Sequence, residues 1–274
     1  MQTIALPDRS LEIKLPKERK DQDKIAAVLS ALDAKIELNA RINAELESMA
    51  KTLYDYWFVQ FAPHKSAGGK MVWNEALKRE IPLGWEVGTA ADLFDFNPTM
   101  SLPKGSDASY IDMAALSTTS FMTERPEKKQ FTGGMKFQNG DVVVARITPC
   151  LENGKTGMIT LLEDNEIGFG STEFIVLRGK DRPLSGFGAC LARSDLFRKF
   201  AITNMMGTSG RKRVEAKTLE TFSMAIPPDS LLSKFEEIVA PFFKIATANT
   251  KESQTLTELR DWLLPMLMNG QVRV

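Results

Sequence analysis

Hydrophobic residues recur at alternating steps of four and three between Asp23 and Phe61. This is the spacing of a heptad repeat, in which one apolar stripe runs along a helix. Gly and Pro are absent from the segment and good helix formers dominate it, so the pattern predicts one long helix. The stripe consists of Ile25, Leu29, Leu32, Ile36, Leu46 and Leu53, with Asn39, Asn43 and Ala50 at the remaining positions.

A second stripe with the same spacing follows Pro227 and Pro228 and predicts a second long helix. Pro241 removes one backbone donor, so we expect a break or kink near residues 237 to 241. Asn269 and Gly270 form a helix-stop signal. The stripe consists of Phe235, Val239, Phe242, Ala246, Asn249, Ser253, Leu256, Arg260, Leu263 and Leu267.

The two helical segments are similar to each other, and each follows an alternating run that ends in proline. The first run is LEIKLP, ending at Pro16, and the second is FSMAIP, ending at Pro227. The chain therefore reads as the end of one repeat followed by a complete second repeat. We expect a strand remnant over residues 1–16, a helix over 17–62, a globular domain over 63–228 and a helix over 229–274.

The period changes between the two helices, where short β-branched runs are bounded by Gly, Pro, Asn and Asp. Such runs predict strands at Asp141–Ile147, Thr156–Thr160 and Phe174–Leu177. Helices are expected at about Ser194 to Met206 and near Thr89 to Phe94, and Ala62 to Gly69 is typical of a linker. The fold class is therefore α+β, with one mixed α/β globule and two long helices.

Two helices that leave and return to one globule run antiparallel. The register that sets Asn43 opposite Asn249 and Asn39 opposite Ser253 also gives the large residues apolar partners, and only Leu32 against Arg260 fits poorly. Amides that face one another can hydrogen-bond and fix the register of an antiparallel coiled coil at some cost in stability. Replacing Asn43 with Leu should then raise the melting temperature and loosen the register. The alternative is that both asparagines lie at a solvated edge.

The composition of the chain limits which classes of protein it can belong to. The chain has 274 residues, 43% of them hydrophobic, and its 35 basic and 35 acidic side chains give a net charge of zero. Any nucleic-acid contact must therefore come from local clustering of charge. The only cysteines, Cys150 and Cys190, have no metal-type spacing and favour a reducing compartment, so we expect a cytoplasmic protein. The sequence shows neither a membrane-length apolar run nor a signal peptide.

The sequence offers little for catalysis. Asn97-Pro98-Thr99-Met100 is the nearest match to a methyltransferase motif, but it lacks the second proline and the aromatic residue, so a plain turn explains it. The single histidine, His64, cannot supply a histidine metal cluster. No nucleophile and base pair stands out. We expect a protein that is not an enzyme and needs neither a cofactor nor a metal.

Several segments together resemble the specificity subunit of type I restriction-modification enzymes. They are the first helix, the domain entry IPLGWEV, the run GDVVVARITPCLENGKTG, the pair GFGSTEFIVL and GTSGRKRV, and the exit LRDWLLPMLMNGQV. The resemblance implies that residues 63–228 are a target recognition domain and that methyl transfer and cleavage belong to partner subunits. A full subunit of this family has two such domains, whereas this chain resembles a half-size or truncated form.

Recognition of duplex DNA needs cations for phosphates and polar groups for base edges. The first candidate is the loop from Gly207 to Val214, in which Thr208, Ser209, Arg211, Lys212 and Arg213 concentrate hydroxyls and charge; the alternative is a solvated basic loop.

The second candidate is the turn that carries Arg146, Thr148, Asn153 and Lys155, although Asn153-Gly154 is also a good hairpin turn. The third is Ser109 with Tyr110, and Tyr110 fits a core position equally well.

The resemblance also implies partners. The chain would bind double-stranded DNA and recognise one half of a bipartite site, and a homodimer is one way to complete the site. Methylation subunits would dock on the helices, and restriction subunits would join through them. Two other classes stay open, a coiled-coil adaptor that binds only protein and an RNA-binding regulator. Apolar residues on the outer face of the first helix could form a docking surface for the methylation subunits. These residues are Val28, Ile42, Met49, Tyr56 and Trp57. For Trp57, packing against the globule is an equally suitable alternative.

Overall fold

The computed structural model describes residues 16–208 and 210–273 of the chain. The described residues form two compact units, one of residues 16–43 with 248–273 and the other of residues 44–208 with 210–247. The division falls inside both long helices, not at the ends of the central domain. The strand expected over residues 1–16 lies outside the described residues except for Pro16.

The two long helices are present. Helix α1 spans Arg19–Tyr54 and closes in a π-helical turn, Asp55–Val59, and helix α7 spans Asp229–Met268. In the first unit Asn39 and Asn43 bond to Ser253 and Asn249 respectively, so these parts of α1 and α7 run antiparallel. The fold class expected from the sequence, two long packed helices with a mixed α/β globule, is confirmed.

The break expected near Pro241 is wrong, because α7 continues through it and through Pro265. A proline inside a helix costs about 3 kcal/mol. Phe235, Val239 and Phe243 are all buried on either side of Pro241, and this burial offsets the cost. The stop at Asn269 and Gly270 is as expected, with Gly270 at φ 77° and the Gln271 N–H donating to the Met266 carbonyl.

In the second unit aromatic rings join the end of α1 and its π-helical turn to α7. Phe58 lies 5.2 Å from Phe235 and 4.9 Å from Phe187, measured between ring centroids, and Tyr54 lies 5.2 Å from Phe187. Edge-to-face pairs of this kind add to the energy of apolar burial. The ends of both helices are therefore part of the main core of this unit.

The second unit holds two four-stranded sheets and two smaller strand pairs. One sheet has the order β4-β11-β8-β9 and is antiparallel, and the other has the order β6-β5-β10-β7 with β5 and β10 parallel. β1 pairs with β2, and β3 with β12. The strands are β1 (Met71–Asn74), β2 (Arg79–Pro82), β3 (Glu86–Thr89), β4 (Phe94–Phe96), β5 (Asp107–Ile111), β6 (Glu127–Gln130), β7 (Met135–Phe137), β8 (Val142–Ala145), β9 (Thr156–Met158), β10 (Gly168–Gly170), β11 (Phe174–Gly179) and β12 (Ser223–Ile226).

Strands β8 and β11 are buried on both faces. Val142, Val144 and Ile175 face the core that contains the helices, whereas Val143 and Val176 belong to a separate cluster with Phe137 and Phe174. A strand covered on both sides has continuous apolar sequence, which explains the runs VVVA and FIVL. The three strands expected from the sequence are present. β8 and β9 have shorter bounds than expected, whereas β11 continues two residues further, to Gly179.

Five short helices complete this unit: α2 (Ala62–Ser66), α3 (Ala90–Leu93), α4 (Ser185–Arg193), α5 (Asp195–Thr203) and α6 (Ala216–Glu220). Helix α2 occupies the segment expected to be a linker. The helix expected at about Ser194 to Met206 is α5, with the Ser194 side chain accepting from the Phe197 N–H.

Helix α4 was not expected from the sequence. It contains two glycines, which weaken the helical signal. The structure explains them, because a Cβ on Gly186 would lie 2.5 Å from Val239 and one on Gly188 would lie 2.9 Å from the Phe94 ring.

Candidate nucleic-acid interface

The basic loop from Gly207 to Val214 is closed at its neck by a reciprocal backbone pair. The Met206 and Arg213 N–H groups each donate to the other residue's carbonyl at 2.8 Å. Beyond this pair, Thr208, Arg211 and Lys212 are exposed, and Ser209 lies outside the described residues. The chain turns at Gly207 and Gly210, which have φ values of 122° and 77° that favour glycine. The loop therefore presents cations and a hydroxyl to solvent on a fixed base.

Arg213 differs from its two basic neighbours because its guanidinium is engaged. Its Nε lies 3.0 Å from both Glu173 carboxylate oxygens, and its Nη2 donates to Glu173 Oε1 at 2.7 Å. This hydrogen-bonded pairing raises the pKa of Arg213. A forked arginine–carboxylate pair has a defined geometry. In this structure Arg213 fixes the loop, and Arg211 and Lys212 carry its exposed charge.

The second candidate segment, the turn between β8 and β9, lies directly against the basic loop. The Thr148 N–H donates to the Lys212 carbonyl at 3.0 Å, and the Lys212 N–H donates to Thr148 Oγ1 at 3.2 Å. The Val214 N–H donates to the Arg146 carbonyl at 3.0 Å. Two segments far apart in sequence are thus joined through their backbones into one surface.

Within that turn the four candidate side chains have different environments. Arg146 pairs with Glu215, and Lys155 Nζ donates to the Met113 carbonyl at 2.7 Å. Thr148 Oγ1 holds the basic loop, as described above, and Asn153 is exposed at the tip. Gly154 has φ 76° but Asn153 has no positive φ, so the pair ends a longer connection between β8 and β9 and is not a two-residue hairpin turn. Arg146 and Lys155 therefore brace the turn, while Asn153 faces solvent.

Glu173 and Glu215 were missed by sequence reasoning, although both lie beside motifs that it identified. Glu173 is the acidic residue of GFGSTEFIVL, and its carbonyl also accepts from the Arg146 N–H at 2.9 Å. Glu215 directly follows the loop. A carboxylate within one motif and another directly after the second were the available signals, but the sequence does not indicate which arginine each carboxylate pairs with.

The third candidate, Ser109 with Tyr110, does not present its side chains as expected. Ser109 is only 5% exposed, and the Tyr110 ring lies 5.1 Å from the Phe169 ring with Lys129 Nζ 4.3 Å from its centroid. The Ser109 N–H donates to Glu166 Oε1 at 2.9 Å. Burial alone would raise the pKa of Glu166, but hydrogen bonds from Lys128 and backbone N–H groups lower it to about 2. Both faces of β5 are covered, with Ile111 in one apolar cluster and Ala108 and Tyr110 in another, so Ser109 faces protein and not solvent.

A buried arginine lies close to the turn and was also missed. The Arg193 guanidinium donates to the carbonyls of Thr118, Ser117 and Thr156 at 3.0 to 3.1 Å, and also to the Ser120 carbonyl. The Ser120 hydroxyl in turn donates to Glu47 Oε1 at 2.7 Å. Burial lowers the pKa of Arg193 to about 10, so it stays protonated at neutral pH.

In the first unit the four polar seam residues bond across the helix pair. Asn249 Nδ2 donates to Asn43 Oδ1 at 2.9 Å, Asn43 Nδ2 donates to Thr250 Oγ1 at 3.2 Å, and Asn39 Nδ2 donates to Ser253 Oγ at 3.2 Å. Asn39 is fully buried, and its amide also donates to Glu252. These contacts place Asn39 and Asn43 inside the helix pair, not at a solvated edge.

Arg260 forms an ion pair with Asp33, next to Leu32, the residue that it fitted poorly in the register expected from the sequence. Its Nη1 donates to Asp33 Oδ1 at 2.8 Å.

The outward apolar residues of α1 fall into two groups. Ile42, Met49 and Tyr56 are exposed, whereas Val28 is half-buried. Trp57 packs 6.1 Å from Phe235 and belongs to the core of its unit.

The weak catalytic candidates have structural explanations. Asn97 has φ 51°, and its Oδ1 accepts from the Val176 N–H at 2.9 Å, so it anchors a turn to β11. His64 Nε2 bonds to the Lys70 carbonyl at 2.9 Å. Within the described residues no group of three His, Cys, Asp or Glu side chains could hold a metal, and no helix is long and apolar enough to cross a membrane.

Comparison with known proteins identifies related sequences. A family profile described as type I restriction modification DNA specificity domain matches residues 9–48. The type I restriction enzyme MjaIX specificity subunit of Methanocaldococcus jannaschii is 27% identical over 97% of this chain and 62% of its own length. The EcoAI specificity subunit of Escherichia coli is 32% identical over 66% of this chain and 31% of its own length.

A similar fold is found in a solved structure. The type I restriction-modification S subunit of M. genitalium superposes with a TM-score of 0.55 at 18% identity, covering 91% of this chain and 61% of that one. This likeness concerns the fold alone. The chain spans less than two thirds of the length of each of these relatives. The matched proteins are named specificity subunits, which agrees with the expectation that the chain is not an enzyme.

Proposed function

Because this chain is related to the specificity subunits of type I restriction-modification enzymes, we propose that it recognises DNA sequence for such an enzyme and is itself non-catalytic. The observation that carries the proposal is a sequence relatedness that extends over nearly the whole chain. The joined surface made by the basic loop and the β8–β9 turn supports it physically, because it combines exposed cations with exposed amide and hydroxyl groups.

Different residues of that surface have different tasks. Arg211 and Lys212 are exposed and bind phosphates, while Asn153 and Thr208 contact base edges or sugar–phosphate oxygens. Arg146 and Arg213 are paired with carboxylates and hold the loops in place. Ser209 belongs to the same loop and stays a candidate contact. Because Ser109 is buried, we leave Ser109 and Tyr110 out of the interface.

The assembly follows from the family. One recognition domain, residues 63–228, would read one half of a bipartite site, and a second copy of the chain would supply the other half. Methylation subunits would dock on the exposed apolar residues Met49 and Tyr56 of the second unit, and restriction subunits would join through them. The polar seam residues Asn39, Asn43, Asn249 and Ser253 would fix the helix register. Such a protein would work where DNA is, in the cytoplasm.

The test uses the chain assembled with its methylation subunits. Its affinity for the duplex that carries the mapped methylation site is measured from about 50 to 200 mM salt, where each neutralised phosphate contributes about 0.9 to the slope of log affinity against log salt. Removing both cations in Arg211→Ala/Lys212→Ala should lower the slope by about 2. The control is Lys65→Ala, which removes an exposed cation from α2 and should leave the slope unchanged.

Other results would point to the alternative classes. A complex that binds its methylation subunits but no duplex DNA would be a protein-only adaptor. Preference for single-stranded RNA over the duplex would indicate an RNA-binding regulator. An unchanged slope in the double variant would remove the basic loop from the interface while leaving DNA binding in place.

A further inference from the structure

Met206, at the neck of the basic loop, is exposed to an unusual degree for a large apolar residue. Its side chain is 81% exposed, more than that of any other large apolar residue in the described ranges. Its neighbour Met205 has the opposite environment, because it packs against the core. Single exposed apolar residues are common on protein surfaces, so the exposure alone assigns no role.

The position of Met206 is fixed by its backbone. Both its N–H and its carbonyl bond to Arg213, which Glu173 holds through two guanidinium nitrogens. Arg213 also bridges to Ile147 in the β8–β9 turn. At Gly207 the chain turns away with φ 122°, and a Cβ there would lie 3.0 Å from the Arg211 carbonyl. Met206 is thus an apolar side chain held outward from a braced backbone.

The charges around Met206 decide what kind of partner could cover it. Glu173 neutralises Arg213, and Glu215 neutralises Arg146. The net positive charge of the loop therefore comes from its exposed cations, Arg211 and Lys212. An apolar partner surface flanked by anions fits this combination. Duplex DNA offers both, because thymine methyl groups in the major groove, and base steps that an apolar side chain can open, lie between rows of phosphates.

We propose that Met206 is the apolar base-contacting residue of this interface, inserted against a base while Arg211 and Lys212 hold the flanking phosphates. The inference rests on the proposed function and adds a specificity-determining residue to it. A flexible thioether side chain adapts to such a contact at little cost. Contact with a base, unlike contact with phosphate, depends on the sequence of the duplex and does not depend on salt.

The experiment compares three variants in the complex with methylation subunits. Met206→Ala shortens the side chain, Met206→Gln keeps its length but makes it polar, and Met206→Leu keeps it apolar. Affinity is measured for the duplex with the mapped methylation site and for a scrambled duplex of the same length, at several salt concentrations. The matched control is Leu196→Ala, because Leu196 is 53% exposed on α5, outside the joined surface.

We expect Met206→Ala and Met206→Gln to bind the specific duplex about tenfold more weakly, and the scrambled duplex and the salt slope to be unchanged. Met206→Leu should stay within about threefold of the original chain, as a retained apolar contact requires. Equal loss on both duplexes, a changed slope, or no loss at all would overturn the role of Met206. If the original complex fails to bind duplex DNA, the proposed function itself fails, and the two failures are therefore distinguishable.

Discussion

Replacing Asn43 alone with leucine should destabilise the helix pair, in contrast to the gain expected from the sequence. The leucine would remove the acceptor that Asn249 Nδ2 uses at 2.9 Å and the donor that reaches Thr250 Oγ1. Loss of the partner of a half-buried amide costs about 1 to 3 kcal/mol. Burying a leucine side chain completely would return about 1.5 to 3 kcal/mol, but Asn43 is only half-buried, so less is recovered.

The magnitude can be isolated with a double-mutant cycle of Asn43→Leu, Asn249→Leu and the combined variant. Each single change should lower the free energy of unfolding by about 1 kcal/mol. The combined variant should be at least as stable as the original chain, because neither amide is left facing leucine. The coupling energy between the two positions should then be about 2 kcal/mol.

Urea unfolding followed by circular dichroism at 222 nm gives the free energies. The register is measured separately by the distance distribution between spin labels placed through an unnatural amino acid at Ala40 and Lys251, which are both exposed. In the combined variant this distribution should broaden, because one polar layer has become apolar and only the contact of Asn39 with Ser253 still opposes a shifted register. Additive effects within about 0.5 kcal/mol, with an unchanged distribution, would refute the idea that the amides fix the register.

Two further predictions concern the second unit. Glu236 caps α4 by accepting from the Phe187 N–H at 2.7 Å, and burial raises its pKa to about 7 from an ordinary 4.5. The folded chain therefore binds the Glu236 proton more tightly than the unfolded chain does. Up to about 3 kcal/mol of stability should be lost as pH rises from about 4.5 through 7. Melting curves at pH 5 and 8 test this, and Glu236→Gln should abolish the dependence. Arg193→Met removes the donor that four carbonyls share and should lower the free energy of unfolding, measured in urea, by about 2 to 4 kcal/mol. The control Lys199→Met, at an exposed position, should change it by less than about 0.5 kcal/mol. Equal effects of the two variants would contradict the stabilising role of the Arg193 hydrogen bonds.

The sequence by itself determined the parts of this protein whose signal is local. The heptad stripes predict α1 and α7, because helix periodicity depends only on neighbours within a few turns. Matching the polar positions of the two stripes also predicts the pairing of Asn43 with Asn249. The apolar runs VVVA and FIVL predict β8 and β11 in the same way. The break predicted at Pro241 rests on a strong local signal, but α7 continues through it because burial of Phe235 and Phe243 offsets the cost of the proline.

Only the tertiary structure decided how the candidate interface is assembled. The pairing of Arg213 with Glu173 and the bonds from Thr148 to Lys212 join residues distant along the chain, and no pattern in a single sequence specifies such distances. Ser109 is buried because other elements cover both faces of β5, which the sequence of the strand alone does not show. Helix α4 forms because Gly186 and Gly188 permit close approach to other elements, a packing effect that outweighs their low helix propensity.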